Sequence, residues 1–289
     1  MVWTARVAWI VLPFTNGAAL GDVIQPWARA PETVAAILLW AAWFAGLVAL
    51  LTPRPWGFTT LRVVAPCALT ISVISAWSAP GPTAALAIVF AAIATATALS
   101  SPIAHASAAS TAYGPERRFP LRAPLSLLAG PLPLSVAIVA AGIASGPLLL
   151  ANRDYIAGAI ALVVGVPIVA ALIRSLAALD HRWIVLVPAG LVVVDPLTFP
   201  DPVLLPREHI ASLGRVARGA RARATPDHAE ILVGGPGPLL LTCHEHGTFL
   251  RRSGRDRASV EADRLRLTPL RPGLVLAAAG DHRIAVGEM

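Results

Sequence analysis

Cys243-His244-Glu245-His246 is the segment whose residue types come nearest to metal chemistry. Alternation along a strand puts His244 and His246 on one face, where two imidazoles can meet a Zn²⁺ ion. Glu208 and His209 are the other candidate ligands, but no CxxC or HxxxH partner accompanies them. The expectation is therefore no metal, with the segment forming the polar end of a strand that runs into Gly247. Gly234-Gly235-Pro236-Gly237 has the composition of a phosphate-binding loop. Such loops present backbone N–H groups at the start of a helix, whereas here Leu239-Leu240-Leu241 follows, so the segment reads as a hairpin turn. No GxSxG elbow or paired carboxylates in a pocket pattern occur, and His105 and Asp22 stand alone. No cofactor is called for, and the chain is expected not to be an enzyme.

Arg215, Arg218, Arg221 and Arg223 form the densest basic stretch, interleaved with Ala and Gly. They read either as a solvated loop or as a site for anionic lipid or a partner, since each Arg beside an anionic leaflet contributes about 1 kcal/mol. No aromatic residue is interleaved for base stacking, so nucleic acid is not an expected partner. Arg251, Arg252, Arg255 and Arg257 are mixed with Asp256 and followed by Glu261, and read as an ordinary polar loop.

The elements that must position these residues divide sharply. A mean hydropathy of +0.69, with 56% apolar residues, cannot be hidden inside one soluble core. The excess lies in residues 1–179, where charge-free runs are long enough to cross the roughly 30 Å hydrocarbon layer of a bilayer. Ser78-Ala79-Pro80-Gly81-Pro82 splits the longest run, giving six spans: Val2–Val23, Thr33–Leu51, Leu61–Ser78, Thr83–Ser100, Leu125–Leu150 and Tyr155–Leu176. Asn16-Gly17 interrupts the first, which reads as a retained span because its charged leader is too thin for a signal peptide. Trp27, Trp56 and Trp77 fall at span ends, the headgroup level that indoles prefer.

Arginine sets the orientation. Arg54 and Arg62 flank one connection, Arg117, Arg118 and Arg122 crowd another, and Arg174 and Arg182 follow the last span, whereas Arg29 and Arg153 each stand near an acid. The positive-inside rule then places both termini in the cytoplasm. No ionisable group lies near the middle of a span, which argues against a pump. Pro131 and Pro133 in the fifth span, and Gly165-Val166-Pro167 in the sixth, read as kinks whose freed carbonyls find neighbouring side chains, with broken helices that expose backbone to a substrate as the alternative. Trp40 and Trp43, three apart, either pack or stack a ligand. Cys67 and Cys243 lie in dissimilar surroundings and are expected to be free thiols.

From Trp183 the period changes to that of strands. Trp183–Val187 and Leu191–Asp195 flank Pro188-Ala189-Gly190 as a hairpin, and further strands are expected at Pro202–Leu205, Ile210–Val216, Ala229–Val233, Leu239–His244 and Arg264–Thr268. Pro272 opens a closing helix that Gly280 ends. Seven strands and a C-terminal helix, with Pro206-Arg207-Glu208-His209 leading into Ile210-Ala211-Ser212-Leu213, resemble the bacterial pleckstrin-homology-like (PH-like) domain that follows membrane helices. The resemblance covers residues 181 to about 285. It implies a small, partly open β-barrel capped by a helix, used to recognise proteins, lipids or its own neighbours, and no catalytic residue. The turn Pro188-Ala189-Gly190 lacks the basic residues with which phosphoinositide-binding members surround this hairpin.

The expected architecture is thus a six-helix transmembrane bundle (1–179) followed by a cytoplasmic PH-like β-domain (180–289). All 23 basic residues are Arg and Ala, Pro and Gly abound, the signature of a high-GC, actinobacterial-type genome, which implies a bacterial plasma membrane. The expected function is non-enzymatic assembly or regulation at the inner leaflet. The expected partners are membrane lipids, with either another protein or a second copy. The alternative is a transporter or lipid-handling permease with a regulatory cytoplasmic domain.

Overall fold

The structure, a computed structural model, describes residues 2–216, 230–253 and 256–288. The chain forms two compact units, one of residues 1–107 and 126–177 and the other of residues 108–125 and 178–289.

The first unit is helical. It contains α1 (Val2–Ile24), α2 (Arg29–Leu51), α3 (Pro55–Ser78), α4 (Pro82–Ala98) and most of α5 (Ser101–Ala109), then a single turn α6 (Leu125–Leu128), α7 (Pro131–Ala151) and most of α8 (Tyr155–Asp180). Among the described residues five helices are long and apolar enough to cross a membrane, or six if α4 and α5, bent by 42° at their junction, make one span. The bend falls just ahead of Pro102, a residue that suits a first turn and not a helix interior. Large side chains such as Trp3, Phe14, Ile156 and Val163 are exposed, as expected of surfaces covered by lipid.

The expected first span forms as one helix. Asn16-Gly17 does not interrupt α1, because the Asn16 amide, 6% exposed, donates to Ser72 Oγ on α3 at 2.9 Å. A buried amide in hydrocarbon needs such a partner, and once it has one the helix continues. Nor do Pro133 and Pro167 break their helices: Pro131 and Pro133 occupy the first turn of α7, where no internal N–H is lost, and α8 runs through Pro167. The α7–α8 pair instead packs through small residues, since a Cβ on Gly142 would meet Val169 Cγ2 at 2.6 Å and one on Gly146 would meet Leu162 Cδ2 at 2.5 Å.

The second unit is β-rich and draws one strand from between two spans. β1 (Arg117–Pro120), β2 (Trp183–Val187), β3 (Gly190–Val194) and β4 (Val203–Pro206) form an antiparallel sheet in that order. The segment 117–122, read from sequence as a loop, pairs with β2 because Phe119 and Leu121 reach the common core. Further ties fix it: Leu121 N–H donates to Arg182 O, Arg122 N–H to Thr268 O, and Leu270 N–H to Pro120 O, at 2.9, 2.7 and 3.0 Å.

A second sheet contains β5 (Ile210–Arg215), β6 (Glu230–Val233), β7 (Leu239–Ser253), β8 (Asp256–Leu267) and, after α9 (Pro272–Asp281), β9 (Val286–Glu288). Its order is β6-β8-β7-β5-β9, with β6–β8 and β5–β9 parallel. Val275 and Ala279 of α9 enter the core shared by both sheets. The segment read as a polar loop around Arg251–Arg257 is in fact the far end of the β7–β8 hairpin, where Arg252 stands opposite Arg257. Charge alone hides such a strand, because both faces of a protruding hairpin are solvated and the apolar alternation is lost.

Candidate functional site

The packing of α1 on α2 begins with a missing hydrogen bond. Pro13 has no N–H, so the carbonyl of Trp9 one turn earlier loses its helical donor. Trp43 of α2 replaces it, its indole Nε1–H donating to Trp9 O at 2.9 Å, and the Trp9 indole returns a bond to Trp43 O, also at 2.9 Å. Trp9 is buried, and its ring lies where a side chain on Gly46 would have to go. Trp40 stacks edge-on against Trp43, with ring centroids 5.4 Å apart.

Beside this junction α1, α2 and α3 line a partly open cavity of about 200 Å³. Its walls are aliphatic and indole side chains together with Asn16, Gly17, Gly21 and Cys67. No Asp, Glu, Arg or His lines it, so it cannot relay protons or bind an ion through charge. The cavity carries no apolar signature in the sequence, because a residue facing a void looks like one facing a neighbour. Trp40 and Trp43 were the one usable signal.

Of the four arginines singled out from sequence, Arg218, Arg221 and Arg223 lie outside the described residues. Arg215 is exposed at the end of β5, paired in register with Leu239, with its guanidinium 3.4 Å from where a Cβ on Gly273 would stand, at the start of α9. The β7–β8 register shifts between Thr242 and Gly247, and His244, Glu245 and His246 are all exposed. Among the described residues no three His, Cys, Asp or Glu side chains are grouped to hold a metal. Cys243 is buried and free, and Cys67 is free as well. Burial, and secondarily the negative charge of Asp263, push the Cys243 thiol above its ordinary range.

The most buried polar feature of the β-rich unit is an ion pair that sequence reading missed. Arg182 Nε and Nη2 donate to Asp195 Oδ1 and Oδ2 at 2.6 and 3.1 Å, and both side chains are wholly buried. Nη1 donates to Arg122 O at 3.1 Å, while Thr198 Oγ1 and Leu197 N–H donate to the carboxylate at 2.6 and 3.2 Å. Gly234, at φ +78°, leaves the room this guanidinium needs, since a Cβ there would strike Arg182 Nη2 and Thr268 Oγ1. The group is saturated with partners and therefore structural. It holds residue 122, between two spans, to the strand that follows the last span.

Together these features define a class, an integral membrane protein whose apolar helices are joined to a β-rich unit of two sheets. No family model, curated protein or solved structure matches the chain.

Proposed function

We propose that this is a non-enzymatic protein of a bacterial plasma membrane, in which a cytoplasmic PH-like unit mediates assembly or regulation at the inner leaflet. One observation carries the reading. The β-rich unit is built from residues 108–125 and 178–289, so the chain passes between the two units three times. A tethered enzyme or sensor needs one connection, whereas a unit that takes a strand from between two spans stays with them as one working part. The four-stranded antiparallel sheet, the second sheet and α9 support the PH-like assignment, while nine strands form among the described residues where seven were expected and β9 follows the helix expected to close the unit. The arginine-rich connections support the cytoplasmic orientation. Arg215, Arg218, Arg221 and Arg223 are assigned the contact with anionic lipid or with a protein partner, which includes a second copy.

Affinity purification of the full chain from native membranes in mild detergent tests this. A stoichiometric protein partner or a self-oligomer is expected, and replacing the four arginines by Gln weakens it. A monomer without protein partner, or a complex indifferent to those substitutions, overturns the assignment.

The alternative, a transporter or lipid-handling permease, is favoured by the cavity among α1, α2 and α3. That cavity is apolar and is lined by none of Pro131, Pro133 and Pro167, so it fits hydrocarbon and not a polar solute.

A further inference from the structure

We propose that the cavity framed by α1, α2 and α3 is a binding site for one acyl chain of a membrane phospholipid. Its lining runs along the middle of α2 from Ala36 to Trp43 and of α3 from Val64 to Ile71, and on α1 from Trp9 to the helix end at Ile24. At that depth the available occupant is hydrocarbon and not water, and nothing on the wall besides an amide, indoles and a thiol offers hydrogen bonds. The Asn16 amide is already donating to Ser72, and the indoles of Trp9 and Trp43 to each other's backbone, which leaves the Trp40 indole and the Cys67 thiol as the other polar groups on an otherwise apolar wall. About 200 Å³ takes the end of a chain and not a headgroup.

The glycines of α1 make the second observation. Glycine inside a helix is unfavourable, and elsewhere in this bundle a neighbour explains it: Trp9 against Gly46, Val169 against Gly142, Leu162 against Gly146. Gly17 and Gly21 both line the cavity, and a Cβ added to either would meet nothing within 4 Å. No packing demand keeps these positions small, so the space they leave is the function of the two residues. A chain end lying along α1 fills it and recovers the dispersion contacts that the void forfeits.

The test uses the full-length protein in vesicles of phosphatidylethanolamine and phosphatidylglycerol carrying a phospholipid with a photoactivatable diazirine near the end of one acyl chain. After irradiation, labelled peptides are mapped by mass spectrometry. Labelling per residue is expected to be denser on residues 9–24 than on the lipid-exposed stretch 156–166 of α8. Combining Gly17→Leu with Gly21→Leu fills the space and lowers the α1 signal about tenfold, the loss expected when a few buried methylenes are displaced. The α8 signal stays unchanged, and Leu20→Ala, which enlarges the cavity, keeps the α1 label. Equal labelling of filled and unaltered protein overturns the proposal, as does α1 labelling no denser than that of α8. Should the double variant fail to fold, Gly17→Leu and Gly21→Leu are compared singly, and the α1-to-α8 comparison stands in the unaltered protein.

Discussion

Arg182 and Asp195 stand one step beyond the ends of the β2–β3 ladder, whose last pair is Trp183 with Val194, and there they form a wholly buried two-point ion pair. Removing one member of such a pair leaves a charge with no water and no counter-ion. Asp195→Ala is therefore expected to destabilise the β-rich unit by about 3–5 kcal/mol. Replacing both, as Arg182→Met with Asp195→Leu, costs much less than the two single changes combined, because no buried charge remains. Thermal unfolding of the four proteins in one detergent measures this, and strict additivity would show that the two residues do not act as a pair.

Pro13 and Trp43 give a second cycle. If Trp43 Nε1–H is the donor that the Trp9 carbonyl lacks because of Pro13, then Trp43→Phe costs about 1 kcal/mol in the natural background, the size usual for hydrogen bonds between membrane helices. In a Pro13→Ala background, residue 13 supplies its own N–H and the cost of Trp43→Phe shrinks. The unfolding midpoints of the four combinations decide it, and an equal cost in both backgrounds would mean that Trp43 acts only through its bulk.

Cys243 carries a pH prediction. Its pKa is raised above the ordinary 9.0 by burial, with Asp263 adding to the effect. The folded chain thus keeps the proton at a pH where the unfolded chain has released it. The unfolded state then binds fewer protons, so the contribution of this thiol is fully present below the ordinary value and declines as pH rises past it. In a Cys67→Ser background, alkylation of Cys243 by iodoacetamide is expected to be slow from pH 7 to 9 and fast only after denaturation. Rapid modification of the native protein at pH 7 would contradict the burial.

Much of this architecture was legible because it depends on local pattern. Charge-free length locates the spans, but the fifth, expected from Leu125, begins only at Pro131, where proline suits a first turn. All seven expected strands occur, since β-branched runs between turn residues are a short-range signal. What stayed hidden depends on distant partners. Arg117–Pro120 has no strand period of its own and becomes β1 only by pairing with Trp183–Leu186, far along the chain. The Arg182–Asp195 pair was within reach, because a two-residue turn at Pro188-Ala189 sets a register that brings those residues opposite each other. The cavity was not, because a void depends on how three helices meet and Gly17 and Gly21 are silent about what faces them.

The composite β-rich unit also constrains the topology of the membrane segment. Residues 108–125 and 178–289 belong to one unit, so they lie on the same side of the bilayer, and the chain between them crosses an even number of times, through α7 and α8. The loop at Arg153 then faces the opposite side, which is extracytoplasmic in the orientation proposed above. Arg117, Arg153 and Arg252 are exposed. In a chain with Cys67→Ser and Cys243→Ser, Arg153→Cys is expected to react with a membrane-impermeant maleimide in intact spheroplasts, and Arg117→Cys and Arg252→Cys only in inverted vesicles. Labelling of residues 117 and 252 from opposite sides would rule out the shared β-rich unit itself. Labelling of both from outside would preserve the unit and reverse the orientation, moving the arginines away from the cytoplasmic leaflet proposed to hold them.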